Sequence, residues 1–147
     1  ALKKMTVANL VANAGGGKVL QVVSGVDNTQ RSATSSNYSH GYTTAVATLT
    51  PSATSSKILV IASTDIYKSA GTMNVSIFRD NSTNLATQRF FTHDGDNAST
   101  NFCGVFLDSP NTTSEINYRI KWTISSGTGY IGYGGNLSST VAIEIGA

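Results

Sequence analysis

The stretch Ile116-Asn117-Tyr118-Arg119-Ile120-Lys121-Trp122-Thr123-Ile124 decides the fold. Apolar side chains occupy every second position, and Asn117, Arg119, Lys121 and Thr123 stand between them. Successive side chains of a β-strand point to opposite faces, so this stretch offers one apolar face to a core and one polar face away from it. A register slip of one residue would turn all the apolar groups to water, so the pairing is strongly specified. The pattern predicts a strand with Ile116, Tyr118, Ile120, Trp122 and Ile124 facing the core.

Similar signals run outward from it in both directions. Met73, Val75 and Ile77 alternate with Asn74 and Ser76, a half-buried strand. Val19-Leu20-Gln21-Val22-Val23 is rich in β-branched residues and ends at Gly25, and Thr43 to Thr50 is stopped by Pro51. Leu85 to Phe91 follows the turn Asp80–Asn84, and Phe102 to Leu107 closes on Asp108-Ser109-Pro110. Tyr130 to Tyr133 and Thr140 to Ile145 complete the set. Ile58-Leu59-Val60-Ile61-Ala62 is apolar at both parities and reads as a strand buried on both faces. About nine short strands with regular turn chemistry predict an all-β fold, an antiparallel β-sandwich or jelly roll. Residues 27–39 and 92–101 read as polar loops within it.

The first residues differ. Leu2, Met5, Val7, Leu10 and Val11 fall mostly on one helical face beside Lys3 and Lys4, and Gly15-Gly16-Gly17 then breaks any helix. Residues 1–17 are therefore expected to form a short N-terminal arm with a glycine hinge, and residues 18–147 the sandwich domain. Ala1 is the kind of small residue left when an initiator Met is trimmed, so a complete gene product is expected.

Composition narrows the function. Charged residues make up 12% of the chain, about half the usual share. The 38 Ser and Thr and 12 Asn supply solubility instead. A net charge of +2, spread along the chain, excludes an electrostatic nucleic-acid binder, which needs clustered Lys and Arg. One cysteine excludes a disulfide framework within the chain, and no Cys/His cluster offers a zinc site. No apolar run reaches the roughly 18 residues of a membrane span.

The candidate chemistry is thin. Gly127, Gly129 and Gly132 spell the dinucleotide fingerprint, but that motif needs a helix N-terminus behind it to hold pyrophosphate. Only fifteen residues follow, so the glycines read as a hairpin turn and thinly clad strands. His93-Asp94-Gly95-Asp96 lacks the register of a calcium loop and reads as solvated loop. His40 and His93 sit in no catalytic motif, and Cys103 reads as an inert core thiol. No enzyme and no cofactor are expected. Tyr130 and Tyr133, in a glycine-rich stretch, suit core packing, a subunit contact or a platform for sugar rings.

Several phrases, in order and spacing, resemble a structural domain of tailed bacteriophages, above all those infecting cyanobacteria and other marine bacteria. They are Gly17-Lys18-Val19-Leu20-Gln21-Val22-Val23, then Thr50-Pro51-Ser52-Ala53-Thr54-Ser55-Ser56-Lys57-Ile58-Leu59-Val60, then Ile77-Phe78-Arg79-Asp80, Leu107-Asp108-Ser109-Pro110 and Ala142-Ile143-Glu144-Ile145-Gly146-Ala147. The resemblance covers the chain from about residue 17 to its end. It implies a trimeric β-sandwich of the virion, found as a fibre tip or as a small capsid decoration (cement) protein, with no catalytic residues. The long stalk of fibre domains is missing, which favours decoration. The implied partners are two further copies of the chain and the major capsid protein, on the capsid surface after assembly in the bacterial cytoplasm, with no nucleic acid and no membrane. Leu2, Lys3, Lys4, Met5, Val7, Leu10 and Val11 are the expected contacts to the capsid or a neighbouring protomer, and Tyr130 and Tyr133 the expected trimer contacts. The competing expectation is a receptor-binding adhesin whose loops and tyrosines hold glycan.

Overall fold

The structure, a computed structural model, describes residues 17–38, 42–90 and 97–146, with side chains omitted at 88–90. The described residues form ten strands: β1 (Val19–Asp27), β2 (Arg31–Ala33), β3 (Ala47–Leu49), β4 (Lys57–Lys68), β5 (Met73–Arg79), β6 (Thr83–Phe90), β7 (Ala98–Asp108), β8 (Ile116–Ile124), β9 (Gly129–Ile131) and β10 (Ser138–Ile145). One 3-10 turn, Tyr133–Gly135, is the only helical element among them. The strands make two antiparallel sheets packed face to face, the jelly-roll sandwich that the alternation predicts.

In the first sheet β4 is the spine. One edge pairs along its length with β7, and the other pairs with β10 over residues 57–63 and with β9 over residues 66–68. β1 extends the sheet beyond β10, and β2 extends it beyond β9. The second sheet runs β3-β8-β5-β6. Its hairpin between β5 and β6 turns on Asp80 (φ 51°) and Asn81 (φ 61°), both positive as a two-residue type I′ turn demands.

All five alternating residues of β8 are buried in the core, against Val60, Ala62, Val75, Ile77 and Phe102 among others. Trp122 is the largest fully buried side chain, and its Nε1–H donates to the Gly129 carbonyl at 3.3 Å. Gly25 belongs in β1 for a steric reason: a Cβ there would lie 2.2 Å from the Val46 carbonyl oxygen.

Three sequence readings need correction. Arg31–Ala33 lies in a stretch read as loop, yet pairs with β9, because an edge strand of polar residues carries no apolar pattern to detect. Cys103 is exposed, not in the core, because Phe102 and Gly104 take the inward positions on either side of it. On β4, Ile58, Val60 and Ala62 are fully buried, but Leu59 and Ile61 stay partly exposed on the outward face.

The outward face of the second sheet is treated differently. Tyr38 packs on Phe78 with ring centroids 4.9 Å apart and shares a 2.8 Å hydrogen bond with Ser76. The Ile124 N–H donates to the Ser35 carbonyl, and the Thr43 N–H donates to the Ile120 carbonyl. The segment after β2 thus covers that sheet and leaves Lys121 and Thr123 buried on the polar side of β8.

A fully buried carboxylate, Glu144, ties the ends of β1 and β10 to the loop before β4. It accepts from Gln21 Nε2 at 2.6 Å, Ser52 N–H at 2.6 Å, Ser56 Oγ at 2.7 Å and Ser52 Oγ at 3.2 Å. Burial alone pushes this carboxyl up, but the bonds from Gln21, Ser56 and Ser52 outweigh it and hold it below its ordinary value of 4.5.

Two outcomes follow. Trp122→Ala should cost roughly 3–5 kcal/mol in urea denaturation, the usual range for emptying a large core site. Because the Glu144 carboxyl is held below its unfolded value, its contribution is complete above about pH 5 and fades as pH falls through the folded value. Glu144→Gln should therefore lose less melting temperature between about pH 5 and about pH 3 than the parent protein does. Parallel curves of melting temperature against pH would contradict this.

Candidate interaction surface

The outward face of the first sheet follows from the register. Leu107, Leu59, Ile143 and Val22 lie side by side across β7, β4, β10 and β1. The neighbouring row is Val105, Ile61, Val141 and Ser24, and on the other side Ile145 stands beside Val19. These rows are open to solvent: Val22 is 59% exposed, Val105 60% and Leu107 54%. At a 3.3 Å rise per residue and a strand spacing near 4.8 Å, they cover on the order of 400 Å². No ionisable group stands on β4's outward side between Lys57 and Asp65. A contiguous apolar patch of this size on a soluble chain marks a place where something else binds.

Moving along β4, the face changes character. A row of Cys103, Ser63, Ser139 and Val26 comes next, and then Asn101 faces Asp65. The two oxygens of the Asp65 carboxylate accept from Asn101 Nδ2 and Asn136 Nδ2. Beyond them Tyr67 gathers two more tyrosines. Its ring stacks on Tyr133 at 4.4 Å and 10°, and meets Tyr130 at 5.5 Å and 58°. Its hydroxyl donates to Asn97 Oδ1 at 2.5 Å. A pocket of about 250 Å³ opens beside the cluster, lined by Asp65, Ile66, Ser99, Thr100, Asn101, Tyr133 and Asn136.

The structure thus brings Tyr130 and Tyr133 together, with Tyr67 as the residue that joins them. Tyr67 carries no signal of its own in the sequence, since its place beside Tyr130 follows only from the pairing of β4 with β9. Leu2, Lys3, Lys4, Met5, Val7, Leu10 and Val11 lie outside the described residues, as do His40 and His93. Gly127 (φ 71°) and Gly132 (φ 58°) occupy turns around β9, with no helix N-terminus behind them. Among the described residues no group of His, Cys, Asp and Glu is placed to hold a metal ion, and no helix is long and apolar enough to cross a membrane.

No family model matches the chain, and no curated protein does. Among solved structures it is similar to the Eiger TNF of S. frugiperda, with a TM-score of 0.51 and 10% identity over 86% of this chain and 93% of that one. At that identity the likeness is one of fold, the jelly roll. Looser similarity extends to a VP2 subviral particle of infectious bursal disease virus (TM-score 0.37, 15% identity, 86% of this chain and 38% of that one). A structure described as CBM4 is comparably distant (TM-score 0.38, 11% identity, 87% of this chain and 80% of that one).

The two halves of the face should respond differently to substitution. Leu107→Gln, at a side chain already mostly in water, should change stability by no more than about 0.5 kcal/mol. Tyr133→Ala should cost about 0.5–1.5 kcal/mol beyond its area because it breaks the stack on Tyr67. Urea denaturation at low protein concentration measures both.

Proposed function

We infer that the chain is a structural virion protein, a capsid decoration protein that assembles as a homotrimer on the head of a tailed phage. The observation that carries this reading is the uncovered apolar face of the first sheet. A chain with few charges that keeps Leu59, Ile61, Val105, Leu107 and Ile143 on one open face is built to be covered. Its area is about half of the roughly 800 Å² that one partner contributes to a standard interface, so it serves as the apolar centre of a larger contact. The absence of charge on its central rows lets copies meet without like-charge repulsion, and closed cyclic assembly stops open-ended growth. The subunit contact is assigned to these rows, and Tyr130 and Tyr133 lie beyond its polar edge. The role is one of binding, not catalysis. The similarity in sequence phrases to phage structural domains supplies the virion context, and Leu2, Met5, Val7, Leu10 and Val11 are assigned to the shell.

Sedimentation at tens of micromolar tests the assembly. The parent protein should run at three times its 15.3 kDa chain mass, and the pair Val105→Lys with Leu107→Lys should run as a monomer. A monomeric parent would overturn the trimer. Density for this chain in reconstructed virions tests the location: many copies over the head fit decoration, whereas a few copies at the tail would mean an adhesin. A chain beginning at Gly17 should fold as before and bind bare shells at least tenfold more weakly.

A further inference from the structure

We propose that the pocket beside Tyr133 is a saccharide site that takes one neutral sugar ring. This goes beyond the decoration role and does not depend on it. About 250 Å³ is less than the roughly 300–1,000 Å³ of sites for drug-sized ligands and matches a single ring. The lining supplies what a polyhydroxylated ligand requires. A carboxylate has about four acceptor positions, and the two amides use one on each oxygen of Asp65. The remaining positions accept adjacent hydroxyls of a sugar. Each amide also carries a second N–H and a carbonyl, so Asn101 and Asn136 both donate to and accept from the same ring.

Tyr133 supplies the apolar component. One face of its ring stacks on Tyr67, which fixes its orientation, and the residue remains 37% exposed. A tyrosine held this way offers a rigid surface for the C–H face of a pyranose at little entropic cost. The same lining argues against other ligands. No Lys or Arg lines the pocket, and the Asp65 carboxylate repels anions, which disfavours phosphate, sulfate and acidic sugars. Asp65 is its only acidic residue, too few for a divalent cation, which takes six or more oxygens. Asp65 stands four residues from Ile61 along β4, roughly 13 Å, so the pocket stays open when the apolar rows are covered.

The test is a proton NMR titration of the intact chain with maltose, lactose, cellobiose, mannobiose and chitobiose, each to 50 mM. At least one should shift the ring signals of Tyr67 and Tyr133 with a saturable, millimolar Kd. Asn136→Ala and Tyr133→Ala should each weaken that binding at least tenfold, and Val105→Lys with Leu107→Lys should leave it within twofold. Circular dichroism of each variant confirms that the fold is kept. No saturable shift with any of the five sugars would overturn the proposal, as would binding that survives Asn136→Ala with Tyr133→Ala combined. Because the titration needs no shell and no trimer, its failure leaves the decoration reading standing, and a monomeric or tail-bound protein leaves the saccharide site standing.

Discussion

A strand has two faces, and a two-layer sandwich has one core. Everything in this molecule turns on how β4, apolar at both parities from Ile58 to Ala62, meets that constraint. Ile58, Val60 and Ala62 are fully buried against the second sheet. Leu59 and Ile61 then point away from the core, and β7, β10 and β1 line up Val105, Leu107, Val141, Ile143 and Val22 beside them. The apolar face is therefore not a scatter of surface residues but one register repeated across four strands.

The two sheets resolve their outward faces in opposite ways. The second is covered from within the chain, by the segment that carries Tyr38 onto Phe78. The first is divided along its length into an apolar end and an end of amides, a carboxylate and tyrosines. Apolar area without charge favours a flat macromolecular contact, whereas Asp65, Asn101 and Asn136 around a pocket favour a small polar ligand. One sheet thus carries two unlike surfaces, and the row of Ser63, Ser139 and Cys103 separates them.

Much of this was legible in the sequence, and the parts that were not share a cause. The alternation in β8 placed Trp122 and its neighbours in the core because a period of two has only one consistent burial. Periodicity reports which positions are apolar, not what covers them, so β4 read as buried on both sides. Cys103 was misread for a related reason: its parity was fixed only once Phe102 was known to point inward. The polar strand Arg31–Ala33 gives no pattern at all, and its pairing with β9 comes from the tertiary structure. Tyr130 and Tyr133 stood out beside glycines, but the cluster they form with Tyr67 and the carboxylate of Asp65 depends on long-range pairing that a linear reading does not contain.

The central claim is that the outward face of the first sheet is covered by another protein surface. Cys103 provides a probe for it, because its exposed side chain lies on that face beside Val105 and Ile61. The measurement is the rate at which a bulky aromatic disulfide labels this thiol as protein concentration rises from nanomolar to tens of micromolar. If copies close over the face, labelling should be fast in dilute solution and slow at least tenfold over the range in which the sedimentation coefficient rises. A labelling rate that stays the same from nanomolar to tens of micromolar would contradict the account.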